Sequence, residues 1–166
     1  VLIVVPDATR RTAAGQIVNL LVRRLIANGS APHEINIIFA TGIHRRVTAA
    51  EKETILTPFI AQRIKTLDHD PRDLAQIIRL GETSGGIPIE LNRAATMYDR
   101  VILVGGVNFH YFAGFTGAVN AGCSINGVAQ HTVYSVSTVR KFKRNLSNYF
   151  KQQSRAPLFV AMSKEL

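Results

Sequence analysis

Val101-Ile102-Leu103-Val104, opening into Gly105-Gly106-Val107-Asn108-Phe109-His110-Tyr111-Phe112-Ala113-Gly114-Phe115-Thr116-Gly117, is the stretch on which the fold of this chain turns. An uninterrupted apolar run that breaks into glycines is the pattern of a strand buried on both faces of a parallel sheet. In such sheets ligands gather outside the carboxyl ends of the strands. Glycines there let main chain approach a ligand closely, which makes His110 the first candidate for chemistry. The same loop also reads as a sharp turn whose aromatics fill a core.

Two other segments repeat the arrangement of an apolar strand followed by reactive side chains. Val1-Leu2-Ile3-Val4-Val5-Pro6 runs into Asp7-Ala8-Thr9-Arg10-Arg11-Thr12, and Ile35-Asn36-Ile37-Ile38-Phe39-Ala40 runs into Thr41-Gly42-Ile43-His44-Arg45-Arg46. Thr48 and Glu51 then stand at capping-box spacing at the head of a helix. If the three strands are parallel neighbours, their ends share one rim, and Asp7, Arg10, His44 and His110 are expected to converge there.

These motifs resemble the amino-terminal domain of nickel-dependent lactate racemase and its relatives, in the family's order, from Asp7 to about Gly127. The carboxyl-terminal third matches poorly. The resemblance supports a single α/β domain over residues 1–166, a mostly parallel sheet flanked by helices. It implies an isomerase, a racemase or epimerase of 2-hydroxy acids that uses a nickel pincer nucleotide as hydride acceptor. Carried over by position, His44 and His110 are the two histidines that alternate as base and acid at the substrate hydroxyl. Asp7 and Arg10 are the substrate-binding pair, and Thr41, Gly42, Gly114, Gly117 and Asn120 fall where cofactor contacts are expected. Two of these roles suit the chemistry of the side chains. Imidazole titrates near neutral pH, so one residue can take a proton and return it, and the planar guanidinium fork can hold a carboxylate with two parallel hydrogen bonds.

The chain departs from the family pattern at two positions. The family's lysine, which binds the cofactor covalently, comes ten residues after the glycine-loop histidine, where this chain has Asn120. An amide cannot form that linkage, so a covalently tethered cofactor is not expected. The family's nickel-ligating histidine falls near Val136 or Ser137, and neither replaces an imidazole on a divalent metal. His131 comes several residues too early and reads as a surface or helix-cap residue, so no metal ligand is assigned. Two readings stay open: a racemase domain that binds its nucleotide noncovalently, and a catalytically impaired paralogue that holds an anionic small molecule or nucleotide.

Composition bounds the remainder. The 166 residues, 46% hydrophobic, suffice for one domain with a sizeable core. No apolar stretch reaches about 18 residues, so no membrane span is expected. The chain begins inside a strand without an initiator methionine, which suggests a piece of a longer protein whose second domain or chain completes the cleft. Cys123 is the single cysteine, in keeping with a reducing cytoplasm; it reads as a small buried residue or, in principle, a nucleophile beside His110. Twenty Lys and Arg against eleven Asp and Glu give +9, with Arg140, Lys141, Lys143 and Arg144 crowded around Phe142. That segment fits a nucleic-acid footprint, a solvated helix face, or a basic lining for an anionic ligand, with nucleic acid the least favoured of the three.

The finer pattern predicts a helix over Ala13 to Asn28 closed by Gly29, with Arg23 and Arg24 on its solvent side. A second helix is expected from Thr48 to about Gln62, then a short strand near Ile64 to Leu67. A hairpin is expected from Gln76–Leu80 and Ile87–Leu91. Val101 to Val107 is expected as the central strand, with helices following from about Thr116 and His131.

Overall fold

The computed structural model describes residues 1–10, 12–42, 44–82, 86, 88–107, 109–110, 114–115 and 158–163, and from residue 107 onward it describes the backbone. Five strands form a parallel sheet: β1 (Leu2–Pro6), β2 (Asn36–Ala40), β3 (Lys65–Asp68), β6 (Val101–Val107) and β9 (Leu158–Ser163), in the order β3-β2-β1-β6-β9. All four pairings are parallel, with Val4 opposite Ile38, Leu2 opposite Val101 and Ile38 opposite Leu67. The expected α/β sheet is therefore present. The strand at its centre is β1, and Val101–Val107 lies one place to the side. Both strands are apolar and paired on both edges, so composition alone could not rank them.

Alternation of side chains divides the core between the two faces of the sheet. Ile3, Val5, Ile37, Phe39, Ile102 and Val104 pack toward α1 (Ala14–Ala27), α2 (Ala49–Ile55) and α3 (Pro58–Arg63). Leu2, Val4, Ile38, Ala40, Val101 and Leu103 are covered by Ile89 and Leu91 of an antiparallel hairpin, β4 (Ile77–Glu82) with β5 (Pro88–Asn92), and by Ala94 and Ala95 of α4 (Ala94–Met97). The hairpin was expected; its register shifts between Arg79 and Gly81, which marks a bulge. The short helix α4, the pair β7 (Phe109–His110) with β8 (Gly114–Phe115), and β9 carry no signal in the sequence reading.

Helix α1 ends as the sequence suggests. Ser30 N–H donates to the Leu25 carbonyl and Gly29 N–H to that of Ile26, with Gly29 at φ +96°, the left-handed conformation that suits glycine in a Schellman cap. The helix expected from Thr48 to Gln62 is instead two helices broken at Leu56 and Thr57. Pro58 explains the break, because its ring disfavours a helical Thr57, which is extended at ψ 154°, and its fixed φ suits the first turn of a new helix. Where α2 meets α1, a Cβ on Gly15 would overlap the carbonyl oxygen of Ile55, so that glycine permits the close approach. Among the described residues no helix is long and apolar enough to cross a membrane.

Candidate active site at the carboxyl rim of the sheet

The chain steps outward from β1 to β2 to β3 and then returns to the other side of β1 with β6. That reversal puts a topological switch point between β1 and β6, the place where open α/β sheets leave a crevice. Pro6 pairs with Ala40 and Phe39 with Asp68, so the residues that follow, Asp7, Thr41 and His69, emerge side by side on one rim. Gly105 and Gly106 lie near the carboxyl end of β6 on the same side, since it runs parallel to β1.

Asp7 and His44 meet there. The Asp7 side chain is buried, and its Oδ1 accepts from the Thr9 backbone N–H at 3.0 Å and the Thr9 hydroxyl at 2.5 Å. Its Oδ2 lies 2.6 Å from His44 Nδ1. A backbone bond from Arg10 N–H to the Asp7 carbonyl closes the turn. On the other strand, Gly42 at φ +57° and a bond from His44 N–H to the Thr41 carbonyl swing the imidazole toward Asp7. An ionised carboxylate only accepts, so His44 Nδ1 carries a proton and, in the neutral ring, the lone pair is on Nε2. The His44 side chain is 46% exposed, which leaves Nε2 to a ligand or solvent. An imidazole oriented by a carboxylate at Nδ1 and open at Nε2 is the arrangement of a general base.

The other candidates are distributed as follows. Arg10 is exposed on the loop after β1, three residues beyond Asp7. The backbone of His110 pairs with Gly114 in the β7–β8 ladder, a few residues past the end of β6; its side chain, and so its distance from His44, lies outside the described residues. Thr41 is buried, and its hydroxyl donates to the His69 carbonyl at 2.9 Å, so its side chain is committed inward. Gly117, Asn120, Cys123, His131, the positions near Val136 and the basic segment around Phe142 all lie outside the described residues, as do the helices expected from Thr116 and His131.

Cations beside His44 are matched by acids. Arg45 grips Glu51 with two bonds of 2.6 and 2.8 Å, and Arg46 reaches Asp70 at 3.1 Å. The Arg45 guanidinium, helped by the Thr48 N–H in the capping box, pulls the Glu51 carboxyl down to about 2. The Arg72 backbone N–H, with Arg46, likewise lowers that of Asp70. Among the described residues no group of three or more His, Cys, Asp or Glu side chains is arranged to hold a metal ion.

One buried histidine escaped the sequence reading. His69, 1% exposed, follows β3 and places Nδ1 3.1 Å from Asn92 Nδ2 at the end of the hairpin. The signal was available, because Leu67-Asp68-His69-Asp70 repeats the strand-then-reactive-residue arrangement of the other three segments.

Comparison with known proteins agrees with this architecture. Residues 1–135 match the lactate racemase N-terminal domain family. The chain is 30% identical over 118 residues to the lactate racemase of Lactiplantibacillus plantarum, and 26% identical over 117 residues to that of Thermoanaerobacterium thermosaccharolyticum. Each match covers 70% of this chain and 27% of the relative, so the match spans about a quarter of each racemase. Among solved structures, the lactate racemase apoprotein from T. thermosaccharolyticum superposes with a TM-score of 0.81 at 22% identity, over 99% of this chain and 42% of that one. A Thermotoga maritima protein superposes at 0.73 and 19% identity, over 99% of this chain and 46% of its own length. With the family match extending over 135 of 166 residues, the chain belongs to the lactate racemase N-terminal domain family.

Proposed function

We propose that this domain serves a racemase or epimerase of 2-hydroxy acids, with His44 moving the proton of the substrate hydroxyl. The observation that supports this most directly is the 2.6 Å contact between His44 Nδ1 and Asp7, because it fixes which nitrogen faces the ligand. In this reading Asp7 orients His44 instead of touching substrate, since both of its oxygens are already engaged by Thr9 and His44. Arg10 holds the carboxylate of the acid, and His110 takes the opposite side of the substrate carbon, giving and receiving the proton for the other enantiomer. A second domain or chain closes the cleft, in line with the 27% share of the relatives that the match covers. The lone Cys123 suits a cytoplasmic setting.

A covalently held nickel cofactor does not fit this chain. Asn120 stands where the linking lysine would be, and the metal-ligating histidine would fall near Val136 or Ser137. A pincer nucleotide in this domain would be held noncovalently. Asn120 also favours a second reading, a domain that keeps the carboxylate-binding rim without turnover.

Two measurements separate these readings. In a form that interconverts lactate enantiomers, His44→Ala is expected to lower kcat/KM by about 10²–10⁴-fold; unchanged racemisation would remove His44 from the chemistry. Elemental analysis and mass spectrometry of protein from a host that makes the pincer nucleotide should find nickel with noncovalent cofactor if the enzyme reading holds. Lactate binding without either supports the binding module.

A further inference from the structure

His69 is nearly inaccessible, and the mechanism above makes no use of it. Its tautomer can be deduced from its neighbours. Ala94 backbone N–H donates to Asn92 Oδ1 at 3.0 Å, which fixes the orientation of the Asn92 amide and turns Nδ2 toward His69. A second anchor agrees. Gln76 Nε2 donates to the Asp73 carboxylate at 2.8 Å, so Gln76 Oε1 faces Asn92 Nδ2 at 3.2 Å. One hydrogen of Asn92 Nδ2 therefore goes to Gln76 and the other to His69 Nδ1. That ring nitrogen must be a bare acceptor, which excludes both the imidazolium and the Nδ1–H form and leaves the neutral ring with its proton on Nε2.

The same residue ties together two layers of the rim. Through its ring it receives the hairpin end at Asn92, and through its carbonyl it receives the buried hydroxyl of Thr41. Thr41 begins the turn whose carbonyl holds His44 N–H. We propose that His69 is a positioning residue: a neutral, Nε2-protonated imidazole that anchors the Thr41–His44 turn against the β4–β5 hairpin and so keeps His44 Nδ1 on Asp7. Buried polar groups linked this way fix one geometry, because a member left unpaired loses its hydrogen bond without regaining water.

The proposal rests on the reading of His44 as the acid–base group, yet its test needs no substrate. Long-range ¹H–¹⁵N spectra of the 166-residue chain labelled at histidine should show His69 with Nδ1 bare and Nε2 protonated near neutral pH. An Nδ1-protonated or charged His69 overturns it. His69→Asn supplies an oxygen where Nδ1 lies and should keep His44 in its Nδ1–H form, whereas His69→Leu should shift His44 toward the Nε2–H tautomer. A His44 signature that His69→Leu leaves unmoved would refute the anchoring role. Should the leucine variant not fold, Asn92→Asp provides the alternative: it still caps Ala94 but offers His69 no donor, and it should put a proton on His69 Nδ1. An unchanged His69 signature there also overturns the proposal. Lost racemisation with all of these spectra as expected would count against the racemase reading alone.

Discussion

Two histidines stand at the ends of neighbouring strands and use the same ring nitrogen in opposite senses. His44, after β2, donates from Nδ1 to the Asp7 carboxylate and keeps Nε2 toward the open side, with 46% of its side chain exposed. His69, after β3, accepts at Nδ1 from the Asn92 amide and is 1% exposed. Residue type and place in the fold are shared; what differs is whether the partner at Nδ1 can donate. A carboxylate cannot, so it orients a proton acceptor toward a ligand, while an amide can, so it holds a neutral ring as part of the scaffold. A histidine at a strand end is therefore a candidate general base only when its second nitrogen is both bare and reachable.

The most severe way to break this contrast is Asp7→Asn. The Thr9 backbone N–H at 3.0 Å selects the side-chain oxygen, so the new amide would turn its NH₂ toward His44 Nδ1. His44 would then adopt the tautomer of His69, with Nε2 protonated and unable to take a proton from a hydroxyl. In a form that turns over a 2-hydroxy acid, kcat is expected to fall by about 10²–10⁴-fold with the fold intact. The ¹⁵N signature of His44 should move to that of His69, and a variant with full activity or an unmoved His44 signature would sever the link between tautomer and catalysis.

A control should lower stability while leaving both rings alone. Gly15 lies on the helical side of the sheet, where an added methyl meets the main-chain carbonyl of Ile55. Alanine gains about 1 kcal/mol of helix propensity over glycine. The overlap is with backbone that cannot rotate away, and crowding of that kind costs about 1–3 kcal/mol. Gly15→Ala is thus expected to lower the urea midpoint while the spectra of His44 and His69 stay as in the parent. A midpoint that rises would mean that α1 and α2 part easily, and that Gly15 is there for some reason other than their contact.

How far the sequence could carry this contrast follows from which interactions are local. β1, β2 and β6 announce themselves because both faces of each are buried and no polar residue interrupts the apolar run apart from Asn36. The capping box is equally local, since Thr48 and Glu51 satisfy one another across three residues. The helix expected across Thr57 breaks because Pro58 follows it, and the ring's steric effect on its predecessor ends one helix and starts another. The four residues of α4 are too few to express a period. Asp7 and His44 were legible as residues worth watching, but their contact spans 37 positions and depends on the register of two strands. His69 stands in the same strand-then-reactive-residue arrangement, but its role, defined by Asn92 and Gln76, becomes visible only when the hairpin is folded onto the sheet.

Acid sharpens the comparison from the side of the flanking loops, with the smallest expected effect. Glu51, which locks Arg45 next to His44, has its carboxyl held at about 2 against an ordinary 4.5, first by Arg45 and then by the Thr48 amide. Since the folded value is the depressed one, its contribution is complete above pH 4.5 and is lost as pH falls through about 2. Asp70, beside His69, is also held low, chiefly by the Arg72 amide, so both loops weaken in acid and pH alone does not tell them apart. Glu51→Gln does. Glutamine can still cap the Thr48 N–H but cannot ionise, so amides at the head of α2 should lose the drop in protection, relative to the intrinsic exchange rate at each pH, that is expected of the parent between pH 4.5 and 2. Exchange near His69 should keep its acid dependence. Because the Arg45–Glu51 pair is solvent-facing, added salt should shrink the parent's effect toward that of the variant. An acid response at α2 that survives Glu51→Gln would assign it to another carboxylate and detach the His44 turn from its arginine anchor.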